Sequence, residues 1–344
     1  QSLVHMQQTG SRIASCLLFQ GRVKGLFSKL CRDFFKQSIH AIVFQRAVIA
    51  DSLYSINKSM IFSKPDWHSD AYWHHAFGPA PTRNVNYSIK EEPQLWDSFV
   101  DYTHRQLEEL GTRYGKIDCL WLDGGWVNKD NLEQDIRLGE IVEKLRKGPQ
   151  PHLIVCDRTV GGIYENIVTP EKQVPEEPLF IPWETCTTVG EKFSFHYTDT
   201  FKSGRELVYL LLDVVSKGGN LALNLAPQPD GELPGRAVAS LRDMGRWLRM
   251  HGEGIYETVI AEPFFERNIK YTKKGKTIYA FYLYEDYARL PLRVHLTVPD
   301  KISRVRLMRT GQDIPFEQKE NKIILDTETA DRNTAFYADC FILE

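Results

Sequence analysis

Ile117-Asp118-Cys119-Leu120-Trp121-Leu122-Asp123-Gly124-Gly125-Trp126 is a short apolar run that delivers one carboxylate, Asp123, onto a glycine pair between two tryptophans. Strands that end this way in an α/β barrel present catalytic carboxylates at the rim, where the loops after the strands build the active site. Tryptophans on either side suit a sugar ring, whose C–H faces stack on aromatic rings. The competing reading is a strand followed by a loop aspartate that caps the next helix.

Outward from this run, helix and strand alternate. Glu92 to Tyr114 places Leu95, Phe99, Tyr102, Leu107 and Leu110 at helical spacing, with Pro93 suited to a first turn. Asn131 to Lys147 predicts a second helix, with Leu132, Ile136, Ile141, Val142 and Leu145 inward. His152 to Asp157 and Leu179 to Cys186 read as strands. Arg205 to Lys217 reads as an apolar helix stopped by Gly218-Gly219. The strand Asn220 to Ala226, the turn Pro229-Asp230-Gly231 and a helix from about Gly235 to Met250 follow.

Strands separated by helices predict βαβ units and a parallel sheet. No G-x-G-x-x-G opens the first unit, which favours a TIM-like (β/α) barrel over a doubly wound sheet. The first 57 residues are atypical. Phe27 to Lys36 reads as a helix, and Ile39 to Phe44 and Ser59 to Ser63 as strands. Six barrel strands can be counted where eight are needed, so the barrel reads as incomplete at its N-terminal end.

After about residue 260 the pattern changes to short strands: Thr277 to Tyr284, Leu292 to Val298, Ile302 to Met308, Lys322 to Leu325 and Thr334 to Leu343. The expected organisation is a catalytic barrel over 1–260 and a small antiparallel β-sandwich over 261–344.

Composition excludes some functions. The 43 lysines and arginines against 45 acids leave a net charge of −2, which does not point to nucleic acid or an anionic membrane. No run approaches the roughly 18 apolar residues of a membrane span. The six cysteines have no C-x-x-C spacing, and Cys119, Cys156 and Cys186 sit in apolar or β-like runs. They read as buried thiols rather than a zinc site or disulfide scaffold. No His/Glu pair has zinc-helix spacing, so no metal or cofactor is expected. The start, Gln1-Ser2-Leu3-Val4-His5, carries neither an initiator methionine nor a basic-then-apolar leader, which reads as a fragment or a processed chain.

Several segments converge with the opening run. Ser63-Lys64-Pro65-Asp66-Trp67-His68 and Asp157-Arg158 end strands. Thr169-Pro170-Glu171-Lys172-Gln173-Val174-Pro175-Glu176 is a carboxylate-bearing loop, and Pro182-Trp183-Glu184-Thr185-Cys186 follows it. With the apolar helix through Gly218-Gly219-Asn220 to Asn224, Pro229-Asp230-Gly231 and Gly245 to Tyr256, these resemble glycoside hydrolase family 29, the α-L-fucosidases. The resemblance runs from about Ser59 to Tyr256.

It implies a barrel followed by a β-sandwich and a retaining exo-α-L-fucosidase acting on fucosylated oligosaccharides or glycoconjugates. Retention uses two carboxylates about 5–5.5 Å apart. By motif, Asp123 is the expected nucleophile. The Thr-x-Glu-x-x-Val-x-Glu pattern points to Glu171 as acid/base, with Glu165, Glu176 and Glu184 as competitors. Trp121 and Arg158 match positions that face fucose in the family, and Trp67 and His68 stand near the rim. For Arg158 the alternative is an ion pair with Asp157 or Glu184; for Trp67 it is packing beneath the rim.

The departures are specific. The family's His-Trp-Gly and Lys-His-His-Asp-Gly segments, which bind fucose hydroxyls, do not occur here. The adjacent His74-His75 pair lies in a different place and is expected to be solvated. A truncated or impaired relative that binds fucosylated glycans without efficient turnover is therefore the alternative reading. The family resemblance implies an extracytoplasmic location, and a homo-oligomer is compatible with everything read here.

Overall fold

The computed structural model describes residues 72, 74–77, 84–122, 126–156, 162–285, 289–332 and 337–344, and the backbone of 17–19. Along the chain run β1 (Leu17–Phe19), α1 (Pro93–Arg113), β2 (Cys119–Trp121), α2 (Leu138–Lys147), β3 (Ile154–Cys156), β4 (Glu184–Thr188), α3 (Gly204–Ser216), β5 (Asn220–Asn224) and α4 (Gly235–His251). The strands β6 (Val259–Glu266), β7 (Ile269–Lys274), β8 (Thr277–Leu283), β9 (Arg293–Thr297), β10 (Val305–Leu307), β11 (Phe316–Lys319), β12 (Lys322–Asp326) and β13 (Ala338–Leu343) follow. The chain divides into two compact units: Val43–Thr169, and Gln1–Ile42 with Pro170–Glu344.

In the unit Val43–Thr169, Pro93 opens α1, where its locked φ and missing N–H cost nothing. Trp96, Phe99, Val100 and Leu107 of α1 and Ile141, Val142 and Leu145 of α2 are buried with Leu120 and Val155 of the strands. β2 and β3 are parallel, in register from Cys119 with Ile154 to Trp121 with Cys156. Gln150 is buried, and its amide nitrogen donates to the carbonyls of Gly111 (2.6 Å) and Gly115 (2.8 Å). Its side-chain oxygen accepts from the Ile117 N–H at 2.8 Å. This one amide joins the end of α1 to the approach of β2, and the bonds offset the cost of burying it.

The helix expected from Asn131 starts only at Leu138. The Asn128 side-chain oxygen accepts from the N–H groups of Asp130 and Asn131, both at 3.0 Å, a local turn that competes with helix. Leu132, Glu133 and Arg137 have φ of 54°, 59° and 51°, left-handed conformations that a right-handed helix does not contain.

In the second unit, β4 and β5 are parallel, from Glu184 opposite Asn220 to Thr188 opposite Asn224. β1 pairs antiparallel on the other side of β5, Leu17 with Leu223 and Phe19 with Leu221. Among the described residues the parallel strands form two pairs and no closed barrel, and β1 runs against the direction a barrel strand would take. The strands expected at Ile39–Phe44 and Ser59–Ser63, and the helix at Phe27–Lys36, lie outside the described residues.

The strand expected at Leu179–Cys186 is shifted to Glu184–Thr188. Pro178 and Pro182 supply no N–H to a ladder, and Phe180 is exposed. α3 begins with a reciprocal cap: the Ser203 N–H donates to Glu206 Oε2 at 2.7 Å, and the Glu206 N–H donates to Ser203 Oγ at 3.3 Å. It ends at Gly218, whose φ of +76° reverses the chain. At Gly219 an added Cβ would stand 2.3 Å from the buried Trp183 ring, so only glycine admits this contact.

The C-terminal strands form a sheet ordered β10-β13-β8-β7-β6 and a second ordered β11-β12-β9, all antiparallel. Ile278, Ala280, Val294, Leu296, Ile323 and Phe341 share the core between them. The other face of β8 rests on α4: the Trp247 and Phe281 rings are 5.9 Å apart, and Trp247 Nε1 donates to the Ala338 carbonyl at 2.8 Å. The sequence pattern misses β6, β7 and β11. Pro263 interrupts β6, three lysines dilute β7, and β11 has one apolar residue. No described helix is long and apolar enough to cross a membrane.

Replacing Gly219 with alanine drives a methyl group into Trp183. Gly219→Ala is expected to cost about 1–3 kcal/mol, as overpacked cores do, and to lower the urea midpoint at unchanged slope. A midpoint equal to wild type would mean that the close approach does not hold β4 to β5.

Candidate functional site

Candidate active-site residues fall in both units, and each unit is described by itself. In Val43–Thr169, Trp121 is the last residue of β2, opposite Cys156, and is half-buried. The N–H of Leu122 donates to the Cys156 carbonyl at 3.0 Å, which carries the parallel pairing up to the residue before Asp123. Asp123, Asp157, Arg158, Trp67 and His68 lie outside the described residues. Glu165 is half-buried directly after the short 3-10 turn Gly162–Tyr164. Next to it, Asn166 bonds β3 through both its backbone and its side chain, the N–H donating to the Val155 carbonyl at 2.8 Å and Oδ1 accepting from the Val155 N–H at 2.9 Å. His74 is half-buried rather than solvated, with its ring 5.7 Å from that of Phe77.

In the other unit, Glu171 bridges alongside Cys186 in parallel, and the Lys172 N–H donates to the Cys186 carbonyl at 2.8 Å. This segment acts as one more short strand on β4. Glu171 and Glu176 are exposed; Glu184 is buried. Cys186 is half-buried as a free thiol, and Cys156 is a buried one.

Beyond the end of β4, Lys202 gathers the chain. Its N–H donates to the Val189 carbonyl at 2.9 Å, and Nζ donates to the Thr188 carbonyl at 2.7 Å. Burial holds this ammonium below its usual range, Lys172 adds to the effect, and Glu206, Asp199 and Glu191 oppose it. Lys172 reaches the same loop, donating from Nζ to the Glu191 carbonyl at 2.6 Å and standing 4.8 Å from the centre of the Phe193 ring. Asn224 ends β5, and its buried Oδ1 has no hydrogen-bond partner among the described residues. Sequence reading passed over Asn224; its signal was position, a polar side chain at the C-terminal end of a parallel strand. Among the described residues, no group of three His, Cys, Asp or Glu could hold a metal ion.

Glu184 and Glu171 differ in placement and in protonation. Burial pushes the Glu184 carboxyl up to about 8, with a smaller contribution from Cys186. A raised pKa is what a general acid needs. Yet Glu184 is the first residue of β4, at the end opposite to the loops that build a site above parallel strands. Its neutral carboxyl belongs to the packing around Trp183. The native state holds a proton there that an unfolded glutamate releases near pH 4.3. That contribution is fully present below the unfolded pKa and is lost as pH rises toward about 8. Glu184→Gln, neutral at every pH, is expected to flatten the decline in urea midpoint between about pH 5 and pH 8. Identical decline in both proteins would mean that Glu184 ionises freely.

A family model described as Alpha-L-fucosidase matches residues 42–253. The chain is 25% identical over 284 residues to the tissue alpha-L-fucosidase of Macaca fascicularis, covering 75% of this chain and 56% of that protein. It is 35% identical over 176 residues to the plasma alpha-L-fucosidase of Rattus norvegicus, covering 46% of this chain and 36% of that protein. The chain thus spans little more than half of the first of these relatives. Alpha-L-fucosidase isoenzyme 1 from Paenibacillus thiaminolyticus shares the fold at a TM-score of 0.64 and 24% identity, with 78% of this chain and 69% of that one covered. The Thermotoga maritima alpha-fucosidase in complex with fucose aligns at a TM-score of 0.57 and 26% identity, over 72% and 56% of the two chains. With its Trp-Leu-Asp-Gly-Gly run, its Glu171 loop and the parallel β4–β5 pair all inside the matched span, the chain belongs to the alpha-L-fucosidase family.

Proposed function

We propose that this chain is a retaining exo-α-L-fucosidase that releases terminal α-L-fucose from glycans or glycoconjugates. The observation that carries the proposal is the span of the family match, 42–253, which takes in Trp121 to Gly125, Glu171 and Glu184. The fold proposed with it is a barrel through about residue 260 followed by a β-sandwich.

In this mechanism Asp123 attacks the anomeric carbon and forms a fucosyl-enzyme intermediate. Glu171 protonates the departing glycosidic oxygen, then takes a proton from the incoming water. Its exposure on the edge of β4 suits a group that must meet both the leaving group and water. Trp121 offers an aromatic face at the end of β2, and Arg158, Trp67 and His68 are the remaining proposed sugar contacts. Glu165 stays a competitor for the acid/base role. An extracytoplasmic location is part of the same proposal.

A second reading is favoured by one observation. The His-Trp-Gly and Lys-His-His-Asp-Gly segments do not occur in the sequence, and without their hydrogen bonds transition-state binding falls by several kcal/mol. On that reading the chain binds fucosylated glycans and turns them over poorly.

An aryl α-L-fucoside separates the two, since turnover by the wild-type chain supports the first reading and fucose binding without turnover the second. Asp123→Gly is expected to abolish hydrolysis, and added azide to restore part of it by standing in for the lost nucleophile. Full activity in Asp123→Gly would overturn the assignment. For Glu171→Ala, the rate loss is expected to be about 10²- to 10⁴-fold on poor leaving groups and much smaller on activated ones. Equal losses on both classes would move the acid/base role to another carboxylate.

A further inference from the structure

The loop that leaves β4 is closed at its neck and carries aromatic side chains outward. Lys202 bonds back to Val189 and Thr188, the Glu191 N–H donates to Asp199 Oδ1 at 2.8 Å, and Thr200 Oγ1 donates to Glu191 Oε1 at 2.7 Å. These bonds make residues 190–202 a compact Ω-type loop whose ends meet. Within it Phe193 and Phe195 are half-buried, whereas Tyr197 is 86% exposed. The Phe195 ring meets Tyr197 edge-on, with centroids 4.9 Å apart and planes at 78°. A large aromatic ring, braced by a second ring on a bonded loop, is left facing solvent.

Its position gives that ring a use. The loop extends from the C-terminal end of β4, where parallel strands place ligand sites. It is also tied to the proposed acid/base. Lys172, the residue next to Glu171, donates to the Glu191 carbonyl and lies over Phe193. The group attached to the departing oxygen must lie beside the acid that protonates it. We therefore propose that Tyr197 is the platform of the leaving-group subsite, stacking against the pyranose from which fucose is removed. A tyrosine suits this task, because its ring face meets the sugar C–H face while its hydroxyl reaches the sugar hydroxyls. The proposal rests on the fucosidase reading with Glu171 as acid/base, and it makes Tyr197 a determinant of specificity rather than of the chemical step.

The test uses the full chain and compares fucosyllactoses, whose leaving group is a sugar, with fucosyl fluoride, whose leaving group is not. In Tyr197→Ala the ratio of kcat/KM on fucosyllactose to kcat/KM on fucosyl fluoride is expected to fall roughly 3- to 10-fold, the size of one aromatic contact. Tyr197→Trp should preserve the ratio. A ratio unchanged in Tyr197→Ala overturns the proposal. Saturation-transfer NMR with lactose, the product left after fucose departs, reads the same contact without turnover. Transfer to lactose that is strong in wild type and weak in Tyr197→Ala supports the platform; equal transfer in both overturns it. Wild-type protein that hydrolyses neither fucoside would overturn the fucosidase reading instead, and the lactose comparison would still decide Tyr197.

Discussion

Trp183 lying on Gly219 is the contact on which the second unit depends. The ring occupies the space of a missing side chain, and its Nε1 donates to the Lys217 carbonyl at 3.3 Å. The Asn220 N–H donates in turn to the Trp183 carbonyl at 2.9 Å. The starts of β4 and β5 are therefore locked in one register, and a parallel pair has no hairpin turn to set it otherwise. Everything after β4 inherits that register: the level at which Glu171 pairs with Cys186, the point where the loop leaves Thr188, and the position of Asn224.

A second junction fixes α4 to the terminal sheet. Asp339 is fully buried on β13 and accepts from Arg309 Nε at 2.8 Å and from the Tyr284 hydroxyl at 2.7 Å. His251, the last residue of α4, stacks on Trp247 and brings Nε2 to 3.9 Å from the same carboxylate. Burial pushes Asp339 upward, yet the bonds from His251, Arg309 and Tyr284 outweigh it, and the carboxyl ends below its usual range. Such a group stabilises the fold above the unfolded pKa and ceases to do so as pH falls through the folded one. Removing one partner would leave the others facing a buried, uncompensated charge, which makes the junction specific as well as strong.

Much of this was legible along the chain. The apolar helix before Gly218-Gly219 announced α3, because six of its side chains are buried and the stop needs a left-handed residue. Pro93 marked the first turn of α1. What escaped reading did so for local physical reasons. Asn128 turned its own neighbours away from helix, and the prolines at 178 and 182 kept Leu179 and Phe180 out of a ladder. β6, β7 and β11 carry a proline, lysines or too few apolar residues, and exist because neighbouring strands pair with them.

The sequence by itself determined the chemical vocabulary: the Trp-Leu-Asp-Gly-Gly run, a short list of glutamates, and an alternation of strands and helices that only βαβ packing explains. Those signals are contiguous, and apolar periodicity with glycine stops records them directly. Tertiary structure decided which glutamate faces water and which is neutral. Glu171 and Glu184 are thirteen residues apart with similar surroundings in sequence. Only the pairing of Glu171 with Cys186, and the burial of Glu184 beside Trp183 at the start of β4, tell them apart. The same holds for Tyr197, an unremarkable aromatic until the bonds at the neck of its loop hold it out in solvent. Protonation and exposure depend on what the rest of the chain packs around a group, and one segment read alone does not contain that.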